Sequence, residues 1–235
     1  MSEEPDKVAN IVARANARLF EHRESVYLHT DKMFGRLMMG QWLFAIIIAA
    51  IFSPYGWQGK IRAVHVHLPV AIILGGILSS LPLLLIRYRP GWAGTRHTIA
   101  VAQMLWSALL IHLSGGRIET HFHVFGSLAF LGFYRDWKVL VTATCVVATE
   151  HFFRGLLWPE SIYGIVNPEW WRFLEHVFWV IFCIYFLVGA VRQQQKEMRL
   201  ISEQGAEMEA LMDMNSYSAT NGRSDGHEQA GHGAI

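Results

Sequence analysis

The sequence predicts an all-α protein, namely a polytopic membrane helix bundle with about six transmembrane helices and a cytoplasmic C-terminal helix. The chain of 235 residues is 52% hydrophobic and only 17% charged, a balance typical of a membrane protein. Its apolar residues also gather in stretches close to the roughly 20 residues that a helix needs to cross a bilayer. The predicted spans are residues 37–53, 64–86, 96–114, 120–134, 139–157 and 173–191.

The spans are not equally well supported. The fourth stretch is short and contains Gly126 and Gly132, so the sequence leaves open whether it crosses the membrane completely. No cleavable signal peptide is expected, because the first 30 residues are charged and have no apolar core.

The distribution of Lys and Arg predicts the orientation, since cytoplasmic loops carry an excess of positive charge. The richer side holds Lys32, Arg36, Arg87, Arg89, Arg96, Arg135, Lys138, Arg192, Lys196 and Arg199, and the poorer side holds Lys60, Arg62, Arg117, Arg154 and Arg172. We therefore expect a multi-pass protein of a bacterial inner membrane, with both termini in the cytoplasm and lipid as its first partner. The net charge of +1 gives no reason to expect a nucleic acid.

The spans divide the chain into four regions. Residues 1–32 are predicted to be a cytoplasmic amphipathic segment, 33–191 the transmembrane domain, 192–214 a cytoplasmic helix or short coiled coil, and 215–235 an unstructured tail. In the third region apolar residues recur at alternating steps of three and four, a heptad pattern that predicts a homodimer. The seam residues are Val191, Met198, Ile201, Met208 and Met212.

Histidines are the most informative residues of the predicted membrane domain. Seven of its eight lie where the spans meet the extracytoplasmic face, while His97 lies at the opposite face. Three glutamates accompany them. Since polar groups are costly to bury in a bilayer and usually functional, this concentration predicts a metal or heme site. The candidate ligands are His65, His67, His112, His121, His123, His151, His176, Glu119, Glu150 and Glu175.

The residue types restrict the chemistry of such a site. Imidazole and carboxylate groups together suit iron, copper or zinc, and two imidazoles on facing helices would suit heme. Residues i and i+2 diverge by about 200° in a regular helix. His121 and His123 are expected to converge only if they enter from the turn that Gly115 and Gly116 predict. In the pairs Glu150–His151 and Glu175–His176, the glutamate could orient the adjacent imidazole.

Several segments also resemble a membrane sensory module found ahead of bacterial histidine kinases, diguanylate cyclases and chemotaxis receptors. The longest is GGRIETHFHVFGSLAFLGFYRDWKVL at 115–140, and further ones are HVHLPV at 65–70, LLIHLSGG at 109–116, EHFFRGLLWP at 150–159 and LEHVFWVIF at 174–182. The resemblance implies a sensor followed by a signalling helix. Members of that family continue into an output domain, which this sequence does not contain. Two alternatives follow: the protein passes its signal to a separate cytoplasmic signalling protein, or the module has another use.

The sequence therefore favours a non-enzymatic membrane sensor that binds a metal ion or heme through its histidine cluster. A membrane oxidoreductase using the same site is the first alternative, since the same ligands suit iron chemistry. A proton-coupled transporter is the second. It is disfavoured because the spans show no obvious inverted repeat.

Overall fold

The computed structural model describes residues 3–52, 55–58, 61–64, 66–165 and 167–230, with side chains for 6–51, 66–165 and 167–216. This part of the chain is almost entirely helical, as predicted. In chain order its elements are α1 (Glu3–Phe52), β1 (Tyr55–Gln58), β2 (Ile61–Val64), α2 (His67–Tyr88), α3 (Ala93–Leu113), α4 (Ile118–Leu131), a 3-10 turn (Gly132–Tyr134), α5 (Trp137–Leu157), α6 (Glu160–Tyr163) and α7 (Arg172–Ala230).

The one departure from an all-helical chain is a short hairpin between α1 and α2. Strands β1 and β2 pair antiparallel, with Tyr55 opposite Val64 and Gln58 opposite Ile61. The sequence analysis expected only a connection between two spans here.

The chain forms two compact units. The larger, called here the main unit, comprises residues 24–194, and the smaller, called the small unit, comprises residues 1–23 together with 195–235. The long helices α1 and α7 each contribute residues to both units. The unit boundaries therefore fall within helices.

Helix α3 is the central element of the main unit. It packs against α2, α4 and α5, and most of its residues are buried. The core around it is made of large side chains such as Phe34, Met38, Trp106, Leu128 and Leu140, none of which is more than marginally exposed. Burial of this apolar surface holds the helices together where water surrounds the chain, and close packing does so in lipid.

Among the described residues, four helices are long and apolar enough to cross a membrane, judged by length and composition. They are Asp6–Ile51 within α1, His67–Tyr88, Trp137–Leu157 and Arg172–Ser216 within α7. Their outward surfaces carry large exposed apolar residues, among them Leu43, Ile47, Ile73, Ile77 and Phe182. Such a pattern is expected of helices that face lipid and is unusual for a surface in water.

The third and fourth predicted spans are not among these four helices. Helix α3 is less apolar than those four helices because it contains Arg96, Gln103 and Ser107. All three are buried against neighbouring parts of the protein. Helix α4 has 14 residues, about 21 Å at roughly 1.5 Å per residue, which is shorter than a hydrocarbon core of about 30 Å. The structure thus gives a helical protein with four candidate spans where the sequence predicted six.

Within the main unit, α7 packs on one side only. Val180, Ile184, Leu187 and Val188 contact the core, and Val191 is part of it. The opposite side carries the exposed aromatic residues Phe178, Trp179, Phe182, Tyr185 and Phe186. Because most of its apolar surface is outside the core, α7 is the helix of the main unit with the least packing to hold it in place.

In the small unit, the N-terminal part of α1 and the C-terminal part of α7 run antiparallel. Arg14 donates to Asp213 at 2.6 Å and Arg18 donates to Glu209 at 3.1 Å. The residue later in α1 therefore contacts the residue earlier in α7, as expected of antiparallel helices. The hydrogen bond to Asp213 raises the pKa of the Arg14 guanidinium above its ordinary value. Both ion pairs are exposed and therefore contribute little stability.

This pairing changes the expected seam of the C-terminal helix. Met198 is buried, together with Ser202 and Ala206, whereas Ile201, Met208 and Met212 are exposed. In addition, α7 remains helical to Ala230, beyond residue 215, where the composition predicted an unstructured tail. A segment that extends an already formed helix does not have to nucleate a new helix, which is the costly step of helix formation.

Candidate functional site

Three of the predicted ligands come together at one end of the main unit, where α5 ends and α4 and α7 begin. The ring centroids of His121 on α4 and His151 on α5 lie 6.0 Å apart. His176 on α7 lies 5.4 Å from His121 and 6.5 Å from His151. These three residues, called here the histidine triad, come from three different helices. His121 and His151 are buried and His176 is half-buried.

Each ring of the triad has an oxygen atom beside its Nδ1 atom. His121 Nδ1 lies 2.9 Å from the carbonyl oxygen of Arg117, and His176 Nδ1 lies 2.9 Å from that of Arg172. His151 Nδ1 lies 2.7 Å from Glu150 Oε2, though the contact is not aligned as a hydrogen bond. Because a carbonyl oxygen only accepts hydrogen bonds, His121 and His176 carry their proton on Nδ1 and present an unprotonated Nε2.

The Nε2 atom of His121 has no hydrogen-bond partner within the part of the chain described with side chains, although it is buried. Nearby, Arg154 donates to the carbonyl oxygen of Ala108 at 2.9 Å and lies 2.6 Å from Glu150 through its Nε atom. Buried polar atoms are normally paired. An unpaired nitrogen on a buried ring that packs against two other imidazoles therefore marks this end of the unit as a candidate ligand site.

His67 and His112 form a second, separate pair. Their ring centroids are 5.1 Å apart, and the ring of Trp158 lies 4.9 Å from that of His112. His112 Nδ1 also hydrogen-bonds the hydroxyl of Ser161 at 2.9 Å. The backbones at Gly116 and Gly164, both at positive φ, approach so closely that neither position has room for a Cβ atom, and α6, which carries Ser161, contacts α3. His65, the other member of the predicted His65/His67 pair, lies outside the described residues.

His123 does not join the triad. Helix α4 begins at Ile118, so both His121 and His123 are in regular helix and point in different directions, as residues i and i+2 must. The expected convergence from a turn is therefore not seen. His123 instead contacts Gln41 Nε2 at 2.9 Å and Ser107 Oγ at 2.8 Å.

The contacts of His123 belong to a buried polar network between α1, α3 and α4. The amides of Gln41 and Gln103 bond each other reciprocally at 2.9 and 3.0 Å. Ser107 donates to the carbonyl oxygen of Gln103 at 3.0 Å, and Ser127 donates to the Gln103 side chain at 3.3 Å. Both ring nitrogens of His123 are thus engaged, which favours a structural role for this residue.

Of the three predicted glutamates, only Glu150 lies beside the triad. Glu119 is exposed and lies 3.5 Å from Arg117, and Glu175 is exposed while its neighbour His176 bonds a carbonyl oxygen instead. Across the described residues, no three His, Cys, Asp or Glu side chains are already arranged closely enough to hold a metal ion. His97, predicted to lie at the opposite face, contacts Thr142 on α5 at 2.8 Å.

The sequence analysis did not identify a second buried polar cluster, centred on Asp31 of α1. Asp31 Oδ1 accepts a hydrogen bond from the Tyr134 hydroxyl at 2.6 Å, and Oδ2 accepts one from the backbone N–H of Gly91 at 2.7 Å. Arg96 donates to the carbonyl oxygen of Gly91 at 2.8 Å and lies 3.4 Å from Asp136. We call these five residues the Asp31 cluster.

The Asp31 cluster connects α1 to the start of α3 and to the turn before α5. Arg96 also lies over the ring of Tyr27, 3.8 Å from its centroid. Arg135 adopts a left-handed conformation, with φ of 52°, and Asp136 then caps α5 by accepting from the N–H of Lys138 at 3.1 Å. The segment FYRDW, quoted above for its resemblance to sensory modules, thus contributes Tyr134 and Asp136.

One comparison with known proteins gives a match. Over 118 residues, or 48% of its length, the chain is 30% identical to a protein described as transducer protein Htr8 of Halobacterium salinarum. The match covers 17% of that protein, so the similarity concerns a small part of it. No family model matches the chain, and no solved structure does. The similarity indicates a relationship to sensory transducers and agrees with helices that are apolar enough for a membrane.

Proposed function

We propose that the protein is an integral membrane sensor module that binds a metal ion or heme at its histidine-rich end and passes a signal along α7. The observation that carries the proposal is the histidine triad, in which a buried imidazole with an unpaired ring nitrogen packs against two further imidazoles. The partial similarity to a transducer protein supports the signalling role. Iron, copper and zinc are the ions that such ligands suit.

The proposal includes six spans, with α3 and α4 crossing alongside the four apolar helices. Their lower hydropathy is compatible with crossing because α3 is shielded from lipid by α2, α4 and α5. The excess of Lys and Arg on one side would place both termini in the cytoplasm of a bacterial cell. Reporter fusions after Trp92 and Arg135 should then be cytoplasmic, and a fusion after Pro159 should be periplasmic. A cytoplasmic signal at Pro159 would overturn this orientation.

Helix α7 is the element proposed to carry the signal. It contains His176 of the triad, contacts the core through one side only, and continues without a break into the small unit. A ligand that changes the position of His176 would therefore bias a continuous helix, which is a recognised way to couple two sites. The proposed partner is a separate cytoplasmic signalling protein. A homodimer is proposed as well, because Ile201, Met208 and Met212 are exposed.

Metal analysis combined with an optical spectrum tests the ligand part of the proposal. The full chain, purified in detergent from cells grown with iron, copper and zinc, should contain one of these metals in stoichiometric amount. A Soret band would identify the ligand as heme, and metal without that band would identify a non-heme site. A preparation with neither, after reconstitution with each metal and with hemin, would contradict the proposed ligand.

A further inference from the structure

We propose that one divalent transition-metal ion of the zinc and copper group binds between the Nε2 atoms of His121, His151 and His176, and that it ties α7 to α4 and α5. This inference rests on the proposed function and specifies its ligand set. Of the ten candidate ligands predicted from the sequence, it selects three.

The first argument is the orientation of the three rings. Histidines that bind a metal usually donate their other ring N–H to an oxygen, which fixes the tautomer. His121 and His176 donate Nδ1–H to the carbonyl oxygens of Arg117 and Arg172, each at 2.9 Å. His151 has the Glu150 carboxylate 2.7 Å from its Nδ1 atom. His121 and His176 therefore present Nε2 as the atom available to a ligand, and the carboxylate beside Nδ1 of His151 favours the same assignment there.

The second argument is the unpaired nitrogen of His121. This side chain is only 6% exposed, yet its Nε2 atom has no partner among the described side chains. Leaving a buried acceptor unpaired is unfavourable. The ring contacts of His121 are with His151 and His176, so a metal ion shared by the three rings would supply the missing partner.

The third argument is the distance between the centroids of the three rings. Zinc binds imidazole nitrogen at about 2 Å, which places the centroids of neighbouring bound rings about 5 Å apart. The observed separations are 5.4, 6.0 and 6.5 Å, so binding requires the rings to approach by about 1 Å or less on average. Without this contraction, the described side chains are not close enough together to form a metal site.

The same distances argue against heme at the triad. His151 and His176 are far enough apart to be two axial ligands, but His121 lies at similar distances from both. It therefore occupies the plane midway between them, where the macrocycle would have to lie. The charge balance is compatible with a small cation, because Glu150 lies between His151 and Arg154 at 2.7 and 2.6 Å.

Binding would have a mechanical consequence, since each ligand is on a different helix. His176 is near the start of α7, whereas His121 and His151 belong to helices of the packed core. An ion shared by them would draw the beginning of α7 toward α4 and α5. The state of the site would thus be transmitted to the helix that continues into the small unit.

Cobalt(II) and zinc(II) titrations of the metal-stripped full chain in detergent provide the test. The background should carry Cys145→Ser, Cys183→Ser, His227→Ala and His232→Ala, which removes thiolates and the histidines near the C-terminus. Cobalt(II) should bind one to one and give a visible absorption band that zinc(II) abolishes. Single His121→Ala, His151→Ala and His176→Gln variants should each weaken binding by about 10-fold to 100-fold or more, while His67→Ala and His97→Ala should leave it unchanged.

His176→Gln is the decisive variant if the two buried histidines prove necessary for folding, because His176 is the least buried of the three. Full metal binding by correctly folded His176→Gln, or loss of binding in His67→Ala instead, would overturn the assignment of the triad. The proposed sensor function would survive that result, since metal would still be bound elsewhere. If the background protein binds neither metal, the ion proposed here is wrong, while a Soret band in the reconstituted protein would still support the proposed function.

Discussion

The histidine triad and the Asp31 cluster are both buried groups of polar side chains that join several helices, but they differ in how completely their atoms are paired. Both carboxylate oxygens of Asp31 have a donor, from Tyr134 and from Gly91. In the triad, His121 Nε2 has no partner among the described side chains. The paired carboxylate of Asp31 fixes the positions of the elements it joins, although Arg96 Nε in the same cluster has no partner among the described side chains. The unpaired ring nitrogen of His121 has capacity for a ligand, and the two side chains should therefore respond differently to mutation.

The largest effect is expected at the Asp31 cluster. Asp31→Ala would leave the Tyr134 hydroxyl and the Gly91 N–H without their acceptor, and should lower the free energy of unfolding by about 2–5 kcal/mol. Denaturant titration of the purified protein in a mild detergent would measure the change. Asp6→Ala, in an exposed position of the same helix, is the matched control and should have almost no effect. Equal unfolding midpoints for the two variants would show that the Asp31 cluster does not hold the helices.

A smaller effect is expected in the network of Gln41, Gln103 and His123. Gln103→Leu should cost about 1–3 kcal/mol in the same unfolding measurement, because the Gln41 amide would lose both of its bonds to Gln103. The double variant Gln41→Leu with Gln103→Leu should cost less than the sum of the two single variants, since it leaves fewer unpaired groups. Strictly additive effects would mean that the two amides do not depend on each other.

The smallest effect on stability is expected at the triad. His121→Phe in the metal-free protein should change the free energy of unfolding by less than about 1 kcal/mol, because it removes a nitrogen that is already unpaired. The carbonyl oxygen of Arg117 would keep its bonds from the Thr120 N–H and hydroxyl. His123→Phe, two residues along the same helix, is the matched comparison and should cost about 1–3 kcal/mol because Gln41 and Ser107 would lose a partner. A larger loss of unfolding free energy for His121→Phe than for His123→Phe would contradict the assignment of His121 to a ligand site and of His123 to a structural network.

Much of the helical organisation could be predicted from the sequence. Continuous apolar stretches predicted the helices, and their ends agree with α2, α3 and α5 to within a few residues. Two spans were predicted from stretches that the structure shows to be less suited to lipid. Hydropathy reports the average polarity of a segment and does not report which side of it is shielded. Helix α3 can therefore hold Arg96 and Gln103 because its neighbours cover them.

The candidate site, like the helices, could be predicted only in part from the sequence. Sequence position alone placed His112, His121, His151 and His176 at one end of the bundle, because a chain that crosses repeatedly must return to the same face. The sequence left unresolved which of them meet, since the direction of a side chain depends on the helix that carries it and on how that helix is rotated against its neighbours. His121 and His123 are two residues apart, and the regular helix α4 sends one to the triad and the other to Gln41.

The sequence by itself determined that the chain is helical and apolar enough for a membrane, that its histidines gather toward one end, and that a more polar helix follows the last apolar stretch. These properties depend on local composition and on the periodicity of one chain segment. The tertiary structure alone decided that Asp31 joins three helical segments, that three of the histidines form the triad, and that the N-terminal and C-terminal helices of the small unit pair with each other. These properties depend on contacts between residues far apart in the chain. They arise only when packing fixes the rotation of each helix and the helices beside it.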